Sequence, residues 1–212
     1  MTILKVGDKA PNFKAIDQDE NTISLADFKG KKLVLFFYPK ASTPGCTMEA
    51  CNLSDNYSRF VAHGYDVLGV SADNTKRQSN FKNKFSFPYP LLADVDKTVI
   101  KAFDVWGSKK FMGRTFDGIH RVTFVIDENG IIEKVIENIN PNLLPILIMC
   151  DRKDANLINK LKQKYGIIFT DNLINYELIR NDFTHIRNLN VVNFLIEKLI
   201  CEKSEHFIGY EG

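Results

Sequence analysis

Cys46 and Cys51 stand five residues apart in Tyr38-Pro39-Lys40-Ala41-Ser42-Thr43-Pro44-Gly45-Cys46-Thr47-Met48-Glu49-Ala50-Cys51, the stretch of this chain best suited to nucleophilic chemistry. An apolar run from Leu33 to Tyr38 feeds a Pro/Gly turn, and the pattern predicts a helix that starts at Cys46. A thiol in that position meets unsatisfied backbone N–H groups and the positive end of the helix dipole, which both favour its thiolate. Cys51 follows one and a half turns along the same helix. Thr43 reads as a turn or N-cap hydroxyl, and Pro39 as the residue that ends the strand. Glu49, three residues after Cys46, could pair with an arginine or serve as a solvated or capping carboxylate.

The elements that must position these groups alternate in type. Short extended pieces at Phe13–Ile16 and Thr22–Ser24 flank a polar turn and predict a hairpin. Leu33–Tyr38 and Asp66–Ser71 have the unbroken apolar character of strands buried on both faces. Cys46–His63 should be helical with Gly64 as its stop. Asp73 or Asn74 can cap a helix that runs to about Lys84, and a short helix should cover Lys97–Phe103. Val122–Ile126 and Ile131–Ile136 form a second hairpin, in which Asn129-Gly130 favours a tight two-residue turn. Strands alternating with helices and closing in a hairpin give an α/β class with a mixed central sheet and flanking helices.

Composition narrows the partners. The 212 residues suit one domain with an appendage, and 44% hydrophobic content allows a sizeable core. A formal net charge of +2, from 28 basic and 26 acidic side chains, gives no global field for nucleic acid or membrane surfaces. No Cys/His cluster has structural zinc spacing. No signal-peptide pattern opens the chain, and its longest apolar run, Leu143–Cys150, is too short to span a bilayer. A cytoplasmic location is expected.

The framed residues Pro39-x-x-x-Thr43-x-x-Cys46 resemble the active-site signature of the peroxiredoxins. With Cys51 five positions on, the stretch is similar to the bacterioferritin comigratory protein, or peroxiredoxin Q, subfamily. Further likeness runs through Gly7-Asp8-Lys9-Ala10-Pro11-Asn12-Phe13, Val67-Leu68-Gly69-Val70-Ser71, Val105-Trp106-Gly107-Ser108-Lys109-Lys110-Phe111-Met112-Gly113 and Asp117-Gly118-Ile119-His120-Arg121-Val122-Thr123-Phe124-Val125-Ile126-Asp127. It covers residues 1 to about 137. The resemblance implies a thioredoxin-like domain over 1–138, followed by an atypical extension over 139–212. In the extension, 155–165 and 191–200 have helical patterning; a helix near 190–203 could pack on the domain as the family's C-terminal helix does, and a small extra module or a loosely ordered extension are the alternatives.

The resemblance also assigns roles. Cys46 is the peroxidatic nucleophile, attacking the O–O bond of hydrogen peroxide or an organic hydroperoxide and becoming a sulfenic acid. Thr43 would accept from the thiol and bond a peroxide oxygen, while Pro39 shields the thiolate from water. Arg121, just before a strand, would stabilise the thiolate and orient the peroxide; Arg114 is its competitor and reads as a loop residue. Cys51 would resolve the sulfenic acid to an intramolecular disulfide, reduced in turn by thioredoxin or a similar dithiol. No metal, haem or flavin is implied, nor a nucleic-acid or membrane partner, and a monomer is expected.

That disulfide has a geometric consequence. Residues five apart in an intact helix have Cα atoms about 8–9 Å apart, whereas a disulfide needs roughly 4.4–6.8 Å. The helix around the two cysteines must therefore unwind locally at each turnover.

Two other functions compete: a thiol redox sensor or adaptor that passes oxidation to a partner, and a general disulfide oxidoreductase, whose usual Cys-x-x-Cys is absent. Cys150 and Cys201 read as structural or incidental thiols, with an alternative resolving thiol as the competing reading. His63, His120, His185 and His206 show no ligand spacing. Trp106 reads as a packed loop residue, and Asp94-x-Asp96 as a turn and helix cap.

Overall fold

The computed structural model describes residues 2–111 and 113–137. The expected helices at 155–165 and 190–203, the extension 139–212, and Cys150, Cys201, His185 and His206 lie outside them. The first hairpin forms as expected, with Lys14–Ile16 (β1) antiparallel to Thr22–Ser24 (β2), followed by a 3₁₀ turn at Leu25–Phe28.

Lys32–Phe37 (β3) is the strand around which the rest assembles. Leu33 to Tyr38 are each 1% exposed or less, so both faces of this strand are covered. On one face Leu33, Leu35 and Phe37 join Leu68, Val70, Phe103, Phe124 and Ile126 in the core. On the other, Phe36 stacks on Tyr38 at 5.5 Å, and Tyr38 meets Phe81 at 5.9 Å. Two-sided burial is why the sequence is apolar throughout instead of alternating.

Tyr65–Ser71 (β4) pairs parallel to β3, and Leu91–Ala93 (β5) pairs parallel to β4. Val122–Ile126 (β8) pairs antiparallel to β3, and Ile132–Glu137 (β9) antiparallel to β8. The mixed sheet thus has the order β5-β4-β3-β8-β9. Gly69 sits on β4 where a Cβ would come within 2.7 Å of both the Phe36 ring and Leu91. Only glycine allows those side chains to close over the strand.

Several boundaries depart from the sequence reading. The helix expected over Cys46–His63 begins earlier and is two helices, Pro44–Asp55 (α1) and Tyr57–Ala62 (α2). Pro44 occupies the first helical position, where a missing N–H costs nothing. The seam is Asn56, at φ −101° and ψ 6°, whose side-chain amide donates to the Asn52 carbonyl at 2.9 Å and competes with the helical ladder. Gly64, at φ +77°, ends the segment.

Asn74 caps Thr75–Phe85 (α3), its side chain accepting from Arg77 N, while Asp73 turns inward. Thr98–Ala102 (α4) is held by Asp94, whose Oδ2 accepts from Ile100 N at 2.8 Å, in keeping with a capping carboxylate. The Asn129-Gly130 hairpin does not make a two-residue turn. Asp127 closes a longer loop, its Oδ1 accepting from Asn129 N and Ile131 N and its carbonyl from Gly130 N. Glycine suits position 130 because φ there is +82°.

Besides the 3₁₀ turn, two elements were not anticipated. One is β5, three residues long and buried. The other is a separate ribbon of Trp106–Phe111 (β6) paired antiparallel with Arg114–Ile119 (β7). Trp106 and Arg114 are therefore strand residues, not loop residues. Lys97 Nζ lies 5.1 Å over the Trp106 ring.

Candidate active site

Sheet topology brings the site together. β3 runs out at Phe37, which pairs with Val122 at the start of the antiparallel β8. The loop after β3 and the residue before β8 therefore lie at the same end of two neighbouring central strands. The first carries Cys46 and the second is Arg121.

Cys46 is the third residue of α1. The first ladder bond runs from Thr47 N to Thr43 O at 2.8 Å, so the Gly45 and Cys46 amides lie ahead of the ladder at the positive end of the helix. The thiol is 2% exposed. Arg121 Nη2 is 3.3 Å from its sulfur, and Gly45 leaves the guanidinium room, since a Cβ there would stand 3.4 Å from Nη2.

The other guanidinium nitrogen, Nη1, donates to Glu49 Oε2. Glu49 lies one turn after Cys46 on α1 and is completely buried, so of its open readings the pairing with an arginine is the one observed. Burial pushes its carboxyl up to about 7, with the Arg121 charge pulling back only in part. Its second oxygen has no hydrogen-bond partner among the described residues. Burial also works against the Arg121 charge, but Glu49 and Cys46 outweigh it and hold the guanidinium firmly protonated. A cation is thus clamped between a carboxyl behind and a sulfur in front.

The loop between β3 and α1 carries Pro39 and Thr43. Pro39 is half-buried where the strand ends. Thr43 is the N-cap residue by backbone, but its side chain caps nothing: Oγ1 donates to the Lys40 carbonyl at 2.9 Å. With that proton committed, the oxygen is left as an acceptor. Among the described residues, its hydrogen bonds do not include Cys46.

The loop's main chain is fixed from β4. Asp73 Oδ2 accepts from Ala41 N at 2.7 Å and from Ser71 Oγ at 2.9 Å. Gln78, fully buried on α3, donates to Ser71 Oγ and to the Leu92 carbonyl, and accepts from the Tyr38 hydroxyl. These supports escaped the sequence reading, in which Asp73 was a candidate helix cap.

Lys109 was also missed. Its Nζ donates to the Ile119 carbonyl at 2.8 Å, and burial together with the Arg121 charge pushes its ammonium down, while Cys46 opposes the shift. It is a second cation bordering the site. His120 gained no role from its sequence context; its ring lies beside Gly107, where a Cβ would stand 3.1 Å from Nε2.

Cys51 is partly exposed on the same unbroken helix, and both cysteines are free thiols. Burial, then the Asp55 charge, pushes the Cys51 thiol up.

The AhpC/TSA family profile matches residues 6–135, nearly all of this scaffold. Peroxiredoxin Bcp of Escherichia coli K12 is 48% identical over 138 residues, covering 65% of this chain and 88% of the relative. This chain belongs to the AhpC/TSA family, among the Bcp peroxiredoxins.

Solved peroxiredoxins share the architecture. Peroxidoxin BcpB of Mycobacterium tuberculosis superposes with a TM-score of 0.62 at 33% identity, covering 68% of this peroxiredoxin and 94% of that chain. A bacterioferritin comigratory protein of Xanthomonas campestris, for which alkyl peroxide reduction activity is described, gives 0.62 at 29% identity over 70% and 94% of the two chains. The described fold is accordingly the thioredoxin-like fold of the peroxiredoxins. No helix among the described residues is long and apolar enough to cross a membrane.

Proposed function

We propose that this peroxiredoxin reduces hydrogen peroxide and organic hydroperoxides through Cys46. The observation that carries the reading is the Arg121 guanidinium, 3.3 Å from the Cys46 sulfur at the start of a helix and backed by buried Glu49. A thiolate there gains a fixed positive partner that cannot be neutralised near pH 7. The thiolate attacks the distal peroxide oxygen, the O–O bond breaks, and the leaving oxygen departs as water or alcohol once protonated. Cys46 is left as a sulfenic acid. Developing charge on the leaving oxygen is met by Arg121, and the Thr43 oxygen accepts the peroxide hydroxyl. Pro39 keeps water off the thiolate. The alkyl peroxide reduction described for the Xanthomonas relative supports an organic substrate.

In the second half of the cycle, Cys51 attacks the sulfenic acid to form a Cys46–Cys51 disulfide, which thioredoxin or a similar dithiol reduces. The enzyme works as a monomer in the cytoplasm, without nucleic-acid or membrane partners. Residues 1–138 are the catalytic domain, and 139–212 form an extension. The test is peroxide consumption coupled to thioredoxin oxidation. Cys46→Ser should abolish it, and Cys51→Ser should leave a trappable sulfenic acid at Cys46. A Cys46→Ser protein that still consumed peroxide at the native rate would end the proposal.

A further inference from the structure

Tyr89 is a buried phenol that the peroxide step does not use. It is 0% exposed, packed edge-on to Phe36 at 5.8 Å and stacked on Phe87 at 5.5 Å. A phenol at that depth needs a partner for its O–H. It finds one 39 residues away, donating to the Ala50 carbonyl on α1 at 2.6 Å. Burial, then the neighbouring Tyr38 and Cys51, holds its own ionisation well above the ordinary range, so it remains a neutral donor.

The acceptor's location gives this bond its interest. The Ala50 carbonyl belongs to the peptide group that leads directly into Cys51. Within α1 that carbonyl faces the amide four residues on, and its second lone pair takes the phenol. The peptide is thus held in helical orientation from outside the helix as well as within it. Ala50, like Cys46 and Glu49, lies on the buried side of α1. If Cys51 is to reach Cys46, the backbone between them must abandon helical geometry, and the Ala50–Cys51 peptide is part of that stretch.

We infer that Tyr89 is a positioning residue for the resolving step, its hydroxyl latching the Ala50–Cys51 peptide and setting how readily Cys51 reaches the Cys46 sulfenic acid. The inference rests on the proposed Cys46–Cys51 disulfide. In that step the Cys51 thiol gives its proton to solvent and its sulfur attacks the sulfenic sulfur. The S–S bond forms, the S–O bond breaks, and the oxygen leaves as water after taking up a proton. The oxidising equivalents come from the peroxide already consumed. While the latch holds, the sulfenic acid stays exposed to a second peroxide, which carries it to sulfinic acid.

The experiment uses the full-length chain and Tyr89→Phe, which keeps the ring and deletes the hydroxyl. Each is reduced, given one equivalent of hydrogen peroxide, quenched at intervals with a thiol alkylator and mapped for the Cys46–Cys51 peptide. The peroxide step should proceed at the native rate. Disulfide formation should quicken roughly twofold to tenfold, as expected for loss of one hydrogen bond. The sulfinic fraction under excess peroxide should fall in step, and exchange of the amides in 44–55 of the reduced protein should rise. Should Tyr89→Phe lose the peroxide step, Tyr89→Met serves as a second filler without a donor. A native chain that forms the disulfide, with variants that form it no faster, overturns the latch alone. A native chain that forms no such disulfide overturns the resolving scheme and the latch with it.

Discussion

Arg121 Nη2 lies 3.3 Å from the Cys46 sulfur although 75 residues of chain separate them. The contact depends on two strands, β3 and β8, meeting antiparallel with Phe37 opposite Val122. Removing the guanidinium should expose its worth in the peroxide step. Arg121→Gln is expected to lower the second-order rate with hydrogen peroxide about 10²-fold, the scale of losing one preorganised donor to developing negative charge. Arg121→Lys should recover only part of that, because a single ammonium cannot face both Cys46 and Glu49. Stopped-flow peroxide kinetics would decide, and a native rate in Arg121→Gln would remove the residue from the mechanism.

Glu49 should leave a mark on stability as pH changes. Its carboxyl is raised from an ordinary 4.5 to about 7 in the folded protein. Between those values the native state keeps a proton that the unfolded chain has released. Stability from this group is therefore full below about pH 4.5 and is lost as pH rises through about 7, by about 3 kcal/mol. Urea unfolding at pH 5 and pH 8 should show the decline in the native protein and a flatter profile in Glu49→Gln. Parallel profiles would contradict the assignment.

Asp73 should matter although it touches no reacting atom. Asp73→Asn weakens a charge-assisted bond to the Ala41 amide and leaves Ser71 poorly matched. A cost of about 1–3 kcal/mol in stability is expected. The peroxide rate should also drop, because the loop carrying Thr43 loses its anchor. Thermal melts and peroxide kinetics on the same preparation would test both, and a variant slowed in neither would show that the loop holds itself.

Resolution should carry its own pH dependence. The Cys51 thiol is pushed up by burial and by Asp55, and only its thiolate attacks. Disulfide formation is expected to accelerate with pH up to and beyond the ordinary cysteine range, and Asp55→Asn should move that rise to lower pH. Quenched-flow alkylation across a pH series reads it directly. A flat profile would assign the slow event to the backbone and not to proton loss.

The oxidised protein should lose helix where α1 now stands. Both cysteines sit on one unbroken helix, which holds their Cα atoms about 8–9 Å apart. Hydrogen exchange across 41–57 should therefore be faster in the disulfide form than in the reduced one. Equal exchange in both forms would mean that α1 survives the bond.

The parts of this architecture legible in the sequence were those written in local pattern. The apolar runs at 33–38 and 66–71 announced buried strands, and the Pro/Gly turn ahead of Cys46 announced a helix start. The neighbourhood of Cys46 and Arg121 was legible only through the resemblance, since nothing local says which strand ends meet. The supports of the site were not legible. Asp73 reaches Ala41, and Tyr89 reaches Ala50, because sheet order stacks distant segments, and neither residue advertises its partner. The β6–β7 ribbon escaped because Gly107-Ser108-Lys109-Lys110 lacks the apolar alternation that marks a strand packed on a core. Asn129-Gly130 misled in the opposite way: Asp127 offered its carboxylate to two amides, and that closure outcompeted the tighter turn.

The break at Asn56 acts as an expansion joint. α1 ends there against its own side-chain amide, and α2 begins with a fresh set of amides, so a distortion fed into the first helix has no continuous rod along which to travel. Whatever α1 does around its sulfurs, the second helix and the strand it leads into can stay seated. A protein assembled this way can flex one short segment again and again without fatigue in its foundations.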